Sequence, residues 1–297
     1  MMPDNDDFSD ASQFYNTEGR KILTASFIAF YFAGYDFIDT CKMVFQSSWK
    51  DLFSRIDETK NQDAIQYINS FEGASEQNTS GCKQACDAVI KLFATNETIQ
   101  KSIGRPVDGS EGFDPSKLET KNVFVVIDDS KLKLYAPLLH LITAQCLEFF
   151  SERSNESKTN ILFCLDEFVS LGKLEITDAL RKLRKKHVRI MILTQSMADI
   201  DLLYGKSERM AMMNNFSFKV ILEASDTETQ DYFAKLIGYK PTKKKSVSTN
   251  NVNTTKTLAD DKEWIIEPAK LARLGDNLIL LYREGYKMLK KNFYFKY

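Results

Sequence analysis

Between about residue 11 and residue 100, apolar residues recur at spacings of three and four. Ile22, Leu23, Phe27, Ile28, Phe30 and Tyr31 form the first strong set. Ala64, Ile65, Tyr67 and Ile68 form a second, and Val89, Ile90, Leu92 and Phe93 a third. This period predicts helices packed on one another. Residues 22–38 (ILTASFIAFYFAGYDFI) are the most apolar stretch, but Thr24, Ser26, Gly34 and Asp36 interrupt it. It falls short of the roughly 20 predominantly apolar residues of a membrane span, so a buried helix is expected. After about residue 120 the pattern changes to short apolar runs: 123–127 (VFVVI), 161–165 (ILFCL), 190–193 (IMIL) and 220–222 (VIL). The first three are apolar throughout, as strands buried on both faces should be. Helical stretches at 138–150, 174–186 and 227–237 separate them, the last followed by Gly238 as a C-cap. Strand alternating with helix predicts an α/β domain with a parallel sheet covered on both faces.

The punctuation completes the plan. Residues 1–10 are polar and acidic and are expected to be disordered. Residues 241–261 (PTKKKSVSTNNVNTTKTLADD) have no apolar period and predict a mobile loop. Residues 278–282 and 288–295 flank Glu284-Gly285, a hairpin turn. The chain is thus expected to hold an all-α domain at 11–110 and an α/β domain at 111–297.

Composition changes this picture little. The 297 residues are 43% hydrophobic with a formal net charge of -1, so no global attraction to polyanions exists and any such contact must be local. Five cysteines suit a reducing compartment. Cys146 and Cys164 lie in apolar runs and read as small buried hydrophobes. Cys82 and Cys86 have C-x3-C spacing without a nearby His or second Cys pair, which does not make a zinc site. His140 and His187 are far apart in sequence.

The chemistry gathers at the ends of two apolar runs. Residues 161–165 stop abruptly at Asp166 and Glu167, and residues 190–193 lead into Thr194, Gln195 and Ser196. In an open α/β sheet, neighbouring parallel strands deliver such residues to one edge. A carboxylate there can hold Mg²⁺ directly or through water, and its neighbour can take a proton from an attacking water. The plainer alternative is two acids opening a helix at its positive end. A Gln at the next strand end can orient water or sense a γ-phosphate, or can simply be a polar strand end. Residues 181–189 (RKLRKKHVR) hold six Lys and Arg in nine. Arg184 can reach a phosphate across a subunit boundary as an arginine finger, or the run can complete the last turn of a helix. The sequence contains no G-x4-G-K-[ST]. Gly104 and Gly109 have the right separation, but Ser110 follows where Lys is required.

The segment L-D-E-F-x-x-L-G-K-L (residues 165–174) resembles the type IV secretion coupling proteins, the TraG/TraD-type conjugation ATPases. The family's order continues through Asp178-Ala179-Leu180, Arg184-Lys185, Arg189, Gln195-Ser196, Tyr204-Gly205, Asn214-Asn215, Asp226-Thr227-Glu228 and Leu236-Ile237-Gly238. The likeness is dense from about 120 to 240. Before 120 it matches the family's all-α domain more loosely. The resemblance implies a RecA-like P-loop NTPase sheet, incomplete here because the Walker A strand is absent, with an all-α domain. It implies ATP and Mg²⁺ as cofactors, with Asp166 assisting Mg²⁺ (through water), Glu167 as base, Gln195 as sensor of the nucleotide and Arg184 as the trans-acting arginine. It implies a homo-hexamer at the cytoplasmic face of the inner membrane that couples ATP hydrolysis to delivery of DNA or protein into a conjugation or secretion channel. Its partners would be channel and relaxosome proteins. On this reading the chain is the C-terminal portion of such a protein, soluble, and inactive without an N-terminal P-loop portion. The alternative is a standalone binding module that recruits substrate or relaxosome proteins without ATPase activity. The P-loop strand of a RecA-like sheet would lie between the strands at 190–193 and 220–222, so a gap is expected there.

Overall fold

The computed structural model describes residues 10–106, 112–250 and 253–296. The disorder expected for residues 1–10 therefore lies outside the described residues, apart from Asp10, the first residue of a helix. Gly109 also lies outside them. The chain divides into two compact units between Asp114 and Pro115.

The first unit is helical. Its elements are α1 (Asp10–Phe32), α2 (Phe37–Gln46), α3 (Trp49–Glu58), α4 (Gln62–Asn69), α5 (Glu76–Thr95) and α6 (Glu97–Ile103). Each of the last five opens on a capping residue: Asp36, Ser48, Asn61, Ser75 and Asn96 accept from the backbone N–H three residues on. Such caps satisfy donors that a helix start leaves orphaned. The apolar stretch 22–38 is two helices, not one, because the chain turns between Phe32 and Asp36. No described helix is long and apolar enough to cross a membrane. α1 packs on α4 and α5, and α2 on α5. Ile22, Ala29, Val44, Leu52, Ile56, Ile90 and Phe93 are fully buried. Cys82 and Cys86 are part of this interior, and the Cys86 thiol donates to the Gly19 carbonyl at 3.0 Å.

In the second unit, helix α7 (Asp129–Ser151) precedes strand β1 (Ile161–Leu165). Helix α8 (Ile176–Leu183) and a single 3-10 turn, Arg184–Lys186, lead into β2 (Val188–Ile192). β1 and β2 pair in parallel, with Ile161 opposite Val188 and Leu165 opposite Ile192. Then follow α9 (Met197–Asn215), β3 (Lys219–Ile221) and α10 (Thr227–Ile237). Gly238 closes α10, its N–H donating to the Ala234 carbonyl. Strands β4 (Tyr239–Asn250) and β5 (Asn253–Trp264) form a long hairpin. Strands β6 (Asn277–Tyr282) and β7 (Gly285–Lys290) form another; Arg283 and Glu284 link them, and Gly285, expected in the turn, is instead paired with Tyr282 as the first residue of β7. β3 pairs antiparallel with β6, in a sheet separate from β1 and β2. One apolar cluster lies around β1, β2 and the helices α7 to α9. A second joins β3, α10 and β6.

Four expectations are corrected. Residues 123–127 form no strand: they adopt no regular secondary structure, with Phe124 and Val126 at 84% and 87% exposure. An apolar run becomes a strand only where another strand offers its edge, and none pairs with this one. β1 and β2 are covered on one face only, leaving Leu162 (61%) and Met191 (48%) in the open. Cys164 alternates onto that open face and is exposed, not buried. Lastly, within the polar run 241–261 the described residues 241–250 and 253–261 are not an irregular loop but lie in the paired strands β4 and β5; Ser, Thr and Val suit a strand even without an apolar period. β2 and β3 share no ladder hydrogen bonds and lie in different sheets.

Candidate functional site

Parallel pairing sets β1 and β2 flush at their carboxyl ends. The ladder continues one step beyond the strands: Leu193 N–H donates to the Leu165 carbonyl at 3.0 Å, and Phe168 N–H to the Leu193 carbonyl at 3.1 Å. Asp166 and Glu167 therefore leave β1 beside the point where Thr194 and Gln195 leave β2. All four side chains are exposed. Glu167 occupies the left-handed backbone region (φ 47°, ψ 46°). For a residue with a Cβ this costs roughly 1–2 kcal/mol. The turn that imposes it also lets the Glu167 N–H donate to the Asp166 Oδ1 at 3.0 Å and the Glu167 carbonyl accept from Ser170 at 2.8 Å. Ser196, directly after Gln195, caps α9: its Oγ accepts from the Asp199 N–H at 3.1 Å. The Met197 N–H donates to the Thr229 Oγ1 at 3.0 Å, which ties the start of α9 to α10.

The L-G-K-L stretch acts as a buckle beneath this turn. Phe168 is fully buried and stacks on Tyr204, ring centroids 5.6 Å apart and nearly coplanar at 7°. The Tyr204 hydroxyl accepts the Leu174 N–H at 3.0 Å. Burial, first among the causes, raises the Tyr204 pKa well above the phenolic range. Gly172 has φ 77°, a conformation a glycine adopts without strain, and a Cβ there would meet the His140 ring at 3.5 Å. His140 Nδ1 lies 3.1 Å from the Leu171 carbonyl. Lys173 pairs with Glu208 of α9 at 3.2 Å. In the sequence, Phe168 and Tyr204 lie within motifs that give them no role, and His140 stands outside every motif. The one available signal was the aromatic and the Tyr-Gly pair about 36 residues apart, which acquires meaning only when α9 folds back over the turn.

Arg184 is not brought to this edge. It sits in the turn before β2, at the amino end of the strand, so the five-residue strand (roughly 16 Å at 3.3 Å per residue) separates it from Gln195. It is exposed. Arg153 holds that turn in place. Its side chain is 4% exposed; it pairs with Glu119 at 2.5 Å and donates to the Thr159 carbonyl at 3.0 Å and the Lys186 carbonyl at 2.5 Å. The Lys186 ammonium returns a hydrogen bond to the Arg153 carbonyl.

Among the described residues no cluster of three or more His, Cys, Asp or Glu is placed to hold a metal ion. Asp166 offers a single exposed carboxylate with one oxygen engaged by Glu167. That donor set suits Mg²⁺, which keeps most of its waters and is held by one or two carboxylates together with substrate phosphates.

The family model described as Type IV secretory system Conjugative DNA transfer matches residues 40–297. The chain is 26% identical over 174 residues to protein VirD4 of Agrobacterium fabrum, covering 57% of this chain and 26% of that protein. It is 24% identical over 170 residues to a probable conjugal transfer protein TraG of Sinorhizobium fredii, covering 55% of this chain and 27% of that one. The chain thus spans about a quarter of these relatives' length. Its fold matches the bacterial conjugative coupling protein TrwBdeltaN70 with a TM-score of 0.74 at 20% identity, over 96% of this chain and 66% of that one. TrwB in complex with ADP and Mg²⁺ matches with a TM-score of 0.73 at 18% identity, over 96% and 65%.

Proposed function

The chain belongs to the type IV secretory system conjugative DNA transfer family, and from that premise we infer that it supplies the Walker B and sensor half of a coupling-protein ATPase. In this role ATP hydrolysis drives delivery of DNA or protein substrate into a conjugation or secretion channel, with channel and relaxosome proteins as partners. Asp166 holds Mg²⁺ through water, Glu167 accepts a proton from the attacking water, and Gln195 senses the γ-phosphate. The phosphate-cradling loop comes from residues other than these 297, since no G-x4-G-K-[ST] occurs in them. Arg184 completes the site of a neighbouring subunit in a hexamer.

The observation that carries this reading is the shared carboxyl edge of β1 and β2, which sets Asp166, Glu167 and Gln195 side by side. The position of Arg184 at the opposite end of β2 supports action in trans, because no rotamer of Arg184 spans the strand. TrwB, solved with ADP and Mg²⁺ and with non-hydrolysable nucleotide analogues, supports the choice of cofactor.

The test joins this chain to the P-loop portion of a coupling protein and measures ATP turnover and nucleotide binding separately. Glu167→Gln should bind ATP and fail to hydrolyse it, because only the proton-accepting step is lost. Arg184→Ala should slow turnover in the assembled oligomer alone. The 297-residue chain by itself should show no ATPase activity above its own Glu167→Gln variant. Wild-type turnover in the joined Glu167→Gln protein would remove the assignment of the base.

A further inference from the structure

Thr229 is a polar residue buried in the first turn of α10, at 5% exposure. A buried hydroxyl is costly unless it is hydrogen-bonded. This one has its partner on another helix: the Oγ1 accepts the Met197 N–H at 3.0 Å. Met197 is the first residue of α9 and is itself buried. Its N–H is one of the donors that a helix start leaves without an intrahelical acceptor. The opening of α10 is held in turn. The Thr229 N–H donates to Asp226 Oδ1 at 2.8 Å, and the Gln230 side-chain amide donates to the Ala224 and Ser225 carbonyls at 3.0 and 3.2 Å. Gln195 lies in the link 193–196 between β2 and α9. On the strand side the Leu193 N–H anchors this link to the Leu165 carbonyl. On the helix side the Ser196 Oγ donates to Asp199 Oδ2 at 2.8 Å, and the Thr194 Oγ1 donates to the Ser196 carbonyl at 3.2 Å. The Thr229 bond anchors that side to a different element.

We propose that Thr229 is a positioning residue for Gln195: by holding the first amide of α9 to α10, it sets where Gln195 stands at the carboxyl edge of β1 and β2. This rests on the reading of that edge as a nucleotide site. The Thr229 hydroxyl is buried against Met197, so it acts through the backbone and takes no part in the chemistry. Without this acceptor the Met197 N–H is left buried and unpaired, a cost the first turn of α9 relieves only by moving toward water. Gln195, two residues ahead, moves with that turn. A displacement of about 1 Å at a positioned group can cost about 100-fold in rate. Phosphate affinity, which comes from the cradling loop, is not touched by such a shift.

Amide hydrogen exchange in the full chain tests the clamp without reference to activity. Exchange at Met197 should be slow in the parent and in Thr229→Ser, and about tenfold faster or more in Thr229→Val. Parent exchange as fast as that of exposed loop amides would overturn the proposal. Kinetics of the protein joined to a P-loop portion test the consequence. Thr229→Val should lower kcat roughly tenfold or more with KM for ATP within about twofold, and Thr229→Ser should keep the parent rate. Thr229→Ala removes the same acceptor and serves as the second variant should Thr229→Val not fold. A double-mutant cycle decides the route: with Gln195→Ala already present, Thr229→Val should cost less than about twofold more, because residues that act as a unit are not additive. Losses that multiply would show general support of the fold and overturn the proposal. The two failures are distinguishable. Turnover untouched by Gln195→Ala removes the sensor assignment and this inference with it. Turnover lowered by Gln195→Ala but untouched by Thr229→Val overturns the positioning role alone.

Discussion

Tyr204 shows how one side chain can hold a catalytic turn without touching its chemistry. Its ring backs Phe168, and its hydroxyl takes the only backbone donor at Leu174. Tyr204→Phe keeps the stack and strands that donor, so about 1–3 kcal/mol of stability should be lost. Tyr204→Ala opens a cavity as well and should cost about 3–5 kcal/mol. Urea unfolding of the two variants separates the contributions. His140 makes a second residue-scale prediction. Burial lowers its pKa below the ordinary 6.5, against the opposing effect of the Leu171 carbonyl. The unfolded chain then binds more protons than the folded one as pH drops through that range. Stability is fully present above pH 6.5 and declines as pH falls toward the lowered pKa. Melting temperature at pH 7.5 and 5.5 should differ more in the parent than in His140→Gln. An unchanged difference in the variant would assign the pH effect elsewhere.

At the scale of the element, α9 depends on a break. Gly205 has φ 76° and ψ 157° inside the helix, a conformation essentially closed to other residues. In a straight helix Asp201 and Arg209 would lie about 12 Å apart along the axis. Across the break the Arg209 Nε donates to Asp201 Oδ1 at 2.6 Å, with the guanidinium 5.5 Å from the Tyr232 ring centroid. Both side chains are largely buried, at 7% and 12% exposure. Gly205→Ala should therefore cost about 1–3 kcal/mol. Arg209→Met leaves a buried carboxylate without its partner and should cost about 3–5 kcal/mol, most of it recovered by adding Asp201→Leu. Calorimetric or urea melting of the single and double variants measures this. Without recovery in the double variant, the ion pair would not be what holds the break.

For the whole molecule, the consequence of separate sheets is open apolar edge. β2 and β3 share no ladder hydrogen bonds, and Leu162, Met191, Val220 and Leu222 are each about half exposed or more. Phe124 and Val126 add a further uncovered run. Unpaired edges with apolar faces invite association between copies. The 297-residue chain should associate with rising concentration in light scattering. Phe124→Lys with Val126→Lys should reduce that association and leave the melting temperature within about 1 °C, since neither residue is packed. A monodisperse parent chain at high concentration would count against the open-edge account. Joining the P-loop portion should suppress association as well, if its strand lies between β2 and β3.

The sequence by itself determined what depends on neighbours a few residues away. Helical period, capping residues, the β1 and β2 runs, the Gly238 stop and the order Asp166, Glu167, Gln195 are local facts, carried by spacing and by residue type. The parallel pairing of β1 with β2 followed from the alternation of strand and helix, and with it the common edge of the site. Tertiary structure alone decided which apolar runs become strands, because a strand exists only where a partner's edge is free. Residues 123–127 lack such a partner and the polar run of the β4–β5 hairpin has one, in itself. It also decided that Arg184 stands at the far end of β2 and that Tyr204 and His140 brace the turn. Those relations join residues about 30 positions apart, through contacts whose energy no local pattern encodes.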